Sequence, residues 1–532
     1  MCFYILATLF ALTATFTDIA AAPFSSNGSS IEWITCGATS TGLTVQCGGL
    51  EVPQDYQDAA SGKVTLKLVK VLATVQPSKG SIIYNPGGPG EGGRADVTGY
   101  AGGHVFVTLG GQFDVISWDP RGTGDTLPYS CFQDSIDRQL YGVITPQTSN
   151  SSDTAAGRVW ALKGVLASAC ADQARDYGEL VGTAYSARDL MQIVDALGED
   201  GLLRYWGVSY GSILGMTAAA MFPDRTERVV VDGILNPHDY YHGTDSSQLA
   251  DTDAVFAGFL SACIASRDRC PLAKWGLQSK SLSQQVFQLL DQLKSEPIVF
   301  GSDLITQYLD YDKLKPLIFS QLYDPLAGWP QLASLLDGLF ANNGSQIASI
   351  LAPSAPPASS ALPQFPDLAG VEARLGIRCS DTTLRADALD EIQPLIQSMY
   401  AQSALVGDYL AAAQPMACTR WPFTAKERVE TDWNVNARHP LLFVGNTFDP
   451  VTPLASAWNA SSGFVGSSVL VHNGYGHSSL AQPSLCTAKH IRKYFTDGTL
   501  PPTGTVCQTD VAPFTNESFE DAFTSLNGSI MK

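Results

Sequence analysis

Three stretches of this chain carry residues that could do chemistry together. The first, "RYWGVSYGSILG" at residues 204–215, places Gly207-x-Ser209-x-Gly211 directly after a short apolar run. This is the pattern of a nucleophile elbow, a sharp strand-to-helix turn. Its glycines, two residues either side of the serine, remove side chains that would collide. Such a turn exposes Ser209 Oγ and aims the amide of Tyr210 at the position of a developing oxyanion. In a glycine-rich chain the same letters also fit an ordinary turn. A serine hydroxyl becomes a useful nucleophile only when a base takes its proton, and a carboxylate must hold that base in the right tautomer. Ser209 therefore calls for an acid and a histidine, which on an elbow follow in the order Ser, acid, His.

Seven histidines are available. His104 precedes the serine, His238 and His242 follow it too closely to leave room for an acid-bearing strand, and His490 falls in a helical pattern, "CTAKHIRKYF". The second stretch, "VLVHNGYGHSSL", offers His472 and His477. His477 lies in a glycine-rich loop beyond the apolar run 469–471 and is the favoured base. His472, at the end of that run, is the runner-up, and a structural role is its plainer reading. The acid is expected at Asp449 in "LLFVGNTFDPVTP", just past the run 441–444, although Asp-Pro is also common in turns. Its rival is Asp232, at the end of the run 229–231.

The third stretch, "SIIYNPGGPGEGG" at residues 81–93, breaks an apolar run with a Gly/Pro loop. An oxyanion needs a second donor from an earlier strand-to-helix loop. Pro89 has no N–H, so Gly88 is the choice and Gly87 the alternative. A phosphate cradle does not fit, because the loop has neither a Gly-Lys-Ser/Thr ending nor Gly-x-Gly-x-x-Gly spacing.

The elements around these loops read as α/β. Residues 64–73 alternate like a strand. Short apolar runs without alternation follow at 82–84, 113–118, 203–206, 229–231, 441–444 and 469–471, as expected for strands buried on both faces of a parallel sheet. Residues 187–197 show a helical stripe ending at Gly198. From 241 to 430 helical patterns dominate, with a Pro/Ser/Ala-rich connector at 351–366. The expected organisation is a signal segment at 1–22, a first core part at 23–240, a mainly helical insertion at 241–430 and a second core part at 431–532. Two consecutive domains are the alternative.

A net charge of -19 and the lack of any basic run exclude nucleic acid as a partner. Residues 2–17 are almost wholly apolar and Ala20-Ala21-Ala22 offers a cleavage site, although no Lys or Arg precedes the run. Removing Cys2 would leave ten cysteines, an even set without a Cys-x-x-Cys pair, which favours disulfides over zinc. Six sequons begin at Asn27, Asn150, Asn343, Asn459, Asn516 and Asn527. With no second apolar span, a secreted or luminal protein without stable membrane association is expected.

Taken in order, "NPGGPG", "FDVISWDPRGTGDT", "YWGVSYGSILG", "FPDRTERVVVDG", "RCSD", "GNTFDPVTP" and "GYGHSS" resemble the tripeptidyl aminopeptidase-like family of α/β-hydrolases, related to prolyl aminopeptidases, in its secreted, fungal-type form. The resemblance spans most of the chain. It implies an α/β-hydrolase fold with a helical cap, Ser209 as nucleophile, Asp449 as acid and His477 as base. It also implies a serine hydrolase, first an exopeptidase acting at peptide N-termini, second a carboxylesterase or lactonase for a small-molecule ester. A non-hydrolytic catalyst or binding protein on this fold is the alternative of another class. No metal or organic cofactor is implied. Two departures stand out: Glu91 follows "GGPG" where a small residue is expected, and Asn236 stands in "DGILNP" where the family often has an acid. An aminopeptidase needs a carboxylate for the free α-ammonium group, for which Glu91 and Asp381 are candidates, Asp381 being equally readable as a buried ion-pair partner. Arg121 is expected to pin its loop.

Overall fold

The computed structural model describes residues 30–39, 41–301, 307–351, 368–429, 431–517, 519 and 521–523. The expected signal segment, Asn27, Asn527 and all but the first residue of the 351–366 connector lie outside them. The strands are β1 (Ile34–Ala38), β2 (Thr44–Pro53), β3 (Lys63–Val71), β4 (Ser81–Asn85), β5 (Asp114–Trp118), β6 (Leu203–Val208), β7 (Thr226–Asp232), β8 (Ile298–Phe300), β9 (Gln307–Leu309), β10 (Leu442–Phe448), β11 (Ser468–Tyr475) and β12 (Val506–Gln508). Ten form one sheet in the order β1-β2-β3-β5-β4-β6-β7-β10-β11-β12, while β8 and β9 pair separately. From β5 to β12 the neighbours are parallel; β1, β2, β3 and β5 pair antiparallel.

The central strands follow from their composition. Every residue of β4, "SIIYN", is buried, and β6 and β7 are buried along most of their length, as strands covered by helices on both faces must be. All seven strand-like runs read from the sequence coincide with sheet strands. The strands β1, β2 and β12 lie at or near the edges and were not marked by an apolar run. In β2 a Gly-Gly pair interrupts the pattern. Its Gly48 leaves room for Ile31, since a Cβ there would sit 2.5 Å from Ile31 Cγ2.

The strands β7 and β10 are neighbours, with Asp232 level with Val444. Residues 233–441 therefore leave and rejoin the sheet between adjacent parallel strands, and they are mainly helical. Two apolar clusters divide most of the interior here. One joins sheet residues such as Ile116, Tyr205 and Phe443 to the Thr183–Ala196 and Tyr210–Met221 helices. The other joins helices of the inserted stretch through Phe259, Trp329, Ile318 and Met399. The clusters do not follow one chain boundary. Val159, from the Ala155–Gln173 helix ahead of the elbow, packs with the inserted stretch, whereas Ile377, Trp421 and Phe423 pack with the sheet.

Five disulfides join Cys36–Cys47, Cys131–Cys170, Cys263–Cys270, Cys379–Cys418 and Cys486–Cys507, each linking neighbours in sequence order. Asn150, Asn343, Asn459 and Asn516 are exposed. Among the described residues no helix is long and apolar enough to cross a membrane. Arg121 pins its loop as expected. Fully buried, it makes two hydrogen bonds to Asp189, at 2.7 and 2.6 Å, and donates to the carbonyls of Pro53, Gln54 and Leu180.

Candidate active site

Ser209 stands between β6 and the Tyr210–Met221 helix with φ 58° and ψ −122°. A non-glycine residue in that region stores strain of about 1–3 kcal/mol and persists only where the surroundings enforce it. Here the two glycines let the backbone close. A Cβ on Gly207 would lie 2.1 Å from the Gly211 carbonyl oxygen, and one on Gly211 would lie 2.6 Å from that of Asn85. The elbow is thus pressed against its own helix and against the end of β4. The Ser209 amide donates to the Asp232 carbonyl at 2.9 Å, tying the turn to β7.

The loop after β4 lies beside the elbow. A Cβ on Gly87 would sit 2.5 Å from the Val208 carbonyl oxygen and 3.0 Å from the Tyr210 nitrogen. The Gly87 amide is already engaged by Asn85 Oδ1 at 3.0 Å. Gly88, with φ 101°, lines the same cavity as Ser209. Of the two alternatives the sequence left open, the occupied amide is that of Gly87.

Asp449 and His477 meet at the ends of β10 and β11. His477 Nδ1 lies 3.1 Å from each Asp449 carboxylate oxygen. Asp449 is fully buried and also accepts hydrogen bonds from the amides of Val451, Thr452 and Ser478 and from the Thr452 hydroxyl, at 2.7–3.0 Å. Burial alone would raise its pKa. The His477 charge, with the hydrogen bonds from His477, Ser478 and Thr452, outweighs it and holds the carboxyl below its usual range. The His477 side chain is 13% exposed. Its amide donates to the Tyr323 carbonyl at 2.8 Å, and its ring meets the Tyr323 ring edge-on, centroids 4.8 Å apart.

The rivals are placed differently. Asp232 accepts from the Ser479 amide at 2.9 Å and its hydroxyl at 2.5 Å. Burial pushes its carboxyl up to about 6 despite those bonds. His472 is fully buried, with Nδ1 3.0 Å from the Thr487 hydroxyl, and burial pushes its ring down to about 4. It is a neutral packing histidine.

The cavity at Ser209 has a volume of about 280 Å³ and is walled by Gly88, Pro89, Phe319, Tyr323, Arg374, Arg378 and Tyr409 among others. Most of these come from the inserted stretch. Neither expected ammonium-binding carboxylate is among its described walls, although Glu91 lies beside Gly88 and its charge acts on Tyr323. Asp381 is buried beneath the elbow, where it accepts from the Thr183 amide and hydroxyl and from the Tyr240 hydroxyl, at 2.5–3.0 Å. Thr183 Oγ1 in turn lies 2.6 Å from the Tyr210 hydroxyl. Burial pushes Asp381 up to about 6. One amide and two hydroxyls take up its oxygens and the Arg378 charge acts on it, so it anchors Thr183 and Tyr240 within the core. Glu91 lines a separate, larger cavity of about 940 Å³ that does not include Ser209.

Three contributors were not picked out from the sequence. Asn446 donates to the Gly476 carbonyl at 2.8 Å and accepts from the Gly474 amide at 3.1 Å, holding the His477 loop. Its position within "GNTFDP" was the available signal. Tyr323 lies in the inserted stretch without a motif. Arg374 shares the Leu368–Asp381 helix with Arg378, one turn away, a spacing visible in "ARLGIR".

The comparisons agree with this architecture. Residues 80–348 match the model described as "alpha/beta hydrolase fold", and residues 403–507 match the one described as "TAP-like protein". The serine protease Hip1 of Mycobacterium tuberculosis is 26% identical over 501 residues, 90% of this chain and 91% of that protein. A carboxylesterase B of the same species is 26% identical over 479 residues, 88% of this chain and 87% of the relative. The tripeptidyl aminopeptidase of Streptomyces lividans is 34% identical over 216 residues, 39% of this chain and 38% of the relative. The chain belongs to the alpha/beta hydrolase fold family, as a TAP-like serine hydrolase.

Proposed function

We propose that the chain is a secreted hydrolase in which Ser209, His477 and Asp449 act as nucleophile, base and acid. His477 Nε2 takes the Ser209 proton as Oγ bonds to the substrate carbonyl carbon. The amides of Gly88 and Tyr210 hold the resulting oxyanion. The intermediate collapses by breaking the bond to the leaving group, which receives the proton from His477. Water, activated by the same imidazole, then hydrolyses the acyl-serine and restores the hydroxyl. The observation that carries this reading is the buried, five-fold hydrogen-bonded Asp449 fixing His477 Nδ1, while the strained elbow presents Ser209 to a cavity.

The first substrate reading is a short peptide cleaved near its N-terminus, supported by the TAP-like match and the peptidase relatives. The second is a carboxylic ester or lactone. It is favoured by one observation, that no carboxylate stands among the described walls of the cavity to receive an α-ammonium group. A panel of free-amine peptidyl amides, the same peptides N-blocked, and aryl esters, run on wild type and Ser209→Ala, tests both. Turnover should fall at least about 10³-fold in Ser209→Ala. Unchanged turnover in that variant sinks the mechanism and favours a non-hydrolytic role. Peptidase activity insensitive to N-blocking sinks the exopeptidase reading.

A further inference from the structure

The charged side chains in the wall of the Ser209 cavity are cationic, although Asp449 and Glu91 act on its Tyr323, and one of the cations is uncommitted. The two charged side chains in its wall are Arg374 and Arg378. Arg378 is buried and makes an ion pair with the equally buried Asp245, and its guanidinium stacks 4.2 Å from the centre of the Tyr240 ring. That pair is electrically closed. Arg374 is not: its Nε is buried with no hydrogen-bond partner, and among the described residues no carboxylate forms an ion pair with it. A cation partly withdrawn from water without a partner is unfavourable unless something else supplies the anion.

Arg374 and Tyr409 also wall an adjoining cavity of about 170 Å³, which contains Lys163. The acid in that wall, Glu372, is taken up by Arg138 at 2.5 Å. Among the described residues Lys163 has no such acid. Burial, and then the Arg374 guanidinium, push its ammonium down to about 8. Two unmatched cations thus lie along one path that starts at Ser209. The backbone makes the placement firm, because a Cβ on Gly90 would sit 2.6 Å from the Arg374 nitrogen. The loop beside the nucleophile is therefore seated on the helix turn that carries Arg374.

We propose that the Ser209 cavity is built for a substrate bearing a carboxylate, held by the Arg374 guanidinium, with Lys163 extending the cationic path. The inference rests on the serine hydrolase reading and narrows its substrate to acidic peptides or acid esters. A planar guanidinium matches a carboxylate through two parallel hydrogen bonds. A charge-assisted contact of this kind corresponds to about tenfold or more in affinity.

Two matched kinetic pairs locate the carboxylate. Mono-p-nitrophenyl glutarate against its methyl ester places it on the acyl side. A tetrapeptide acid against its C-terminal amide places it on the leaving-group side. At least one pair should favour the anion about tenfold in kcat/KM. The ratio should collapse in Arg374→Met and return in part in Arg374→Lys. A ratio does not depend on the fraction of enzyme folded. Titration calorimetry with glutarate and with neutral glutaramide gives a readout without turnover: glutarate should bind wild type more tightly than glutaramide, and Arg374→Met should erase the difference. Equal binding of the two, or a preference that survives Arg374→Met, overturns the proposal. Turnover of the neutral substrates that vanishes in Ser209→Ala keeps the hydrolase reading standing even then. Glutarate binding without any Ser209-dependent turnover sustains the carboxylate site and removes the hydrolase reading.

Discussion

A carboxylate surrounded by five donors has no lone pair to spare, and Asp449 is such a group. Each donor favours the ionised form and holds the acid charged, as the proposed role of His477 requires. Asp449→Asn would turn an NH2 group toward donors and leave His477 Nδ1 without its acceptor. We expect kcat to fall by about 10⁴-fold, as for a triad with the wrong imidazole tautomer. Asp232 gives the contrast. It spends its oxygens on Ser479, so Asp232→Asn should cost less than about tenfold in kcat while still weakening the fold. Steady-state kinetics on the best substrate of the panel decide the matter. Equal losses in the two variants would remove Asp449 from its assigned role.

One of the buried ion pairs ties a loop, a helix and a strand together. Arg121, on the loop after β5, clasps Asp189 of the Thr183–Ala196 helix and the carbonyls at the end of β2. Removing one partner strands the other charge in the core, so Arg121→Met should destabilise by about 3–5 kcal/mol, whereas pairing it with Asp189→Leu should recover much of that loss. Urea unfolding of the two variants reads the difference directly, and an undiminished loss in the double variant would refute it. The pair also marks what the sequence could reveal. "DPRG" announced an arginine fixing a loop, but its acid lies 68 residues away on a helix. The elbow and the loops that bring Asp449 and His477 together were legible because tight turns restrict which residues fit. Six central strands were legible because burial on both faces leaves an uninterrupted apolar run, and β3 was legible because its residues alternate. The edge strands β1 and β12 were not, since such strands lack that run, and β2 was not because its Gly-Gly pair interrupts it. Nor was Arg374, because whether a cation has a partner is decided by tertiary contacts that spacing does not encode. Nor was the placement of Glu91 and Asp381, for the same reason: a carboxylate near a motif in sequence can line a neighbouring cavity or turn into the core.

Across the whole molecule, buried acids set how stability varies with pH. Burial pushes Asp96, Asp232 and Asp381 up to about 6, from an ordinary 3.8. Between those values the folded chain binds more protons than the unfolded one, so each acid's contribution is greatest in acid and declines as pH rises from about 4 to about 6. His472 acts the other way. Its folded pKa of about 4 lies below the ordinary 6.5, so it favours folding as pH rises through that interval. Asp449, held below the usual carboxylate range, contributes only above about pH 4 and loses that contribution at lower pH. Three acids oppose one histidine, leaving between pH 5 and pH 7.5 a net of about 2 kcal/mol in favour of mild acid. The overall charge of -19 near neutrality adds self-repulsion in the same direction. The unfolding temperature should therefore be higher at pH 5 than at pH 7.5, by about 2 °C for a chain of this size, and should drop again below pH 4. Asp232→Asn removes one of the three acids and should narrow the gap. Circular-dichroism melts across pH 3–8 test this, and a Tm that climbs steadily from pH 5 to 7.5 would show that the buried acids do not govern the acid side of the stability profile.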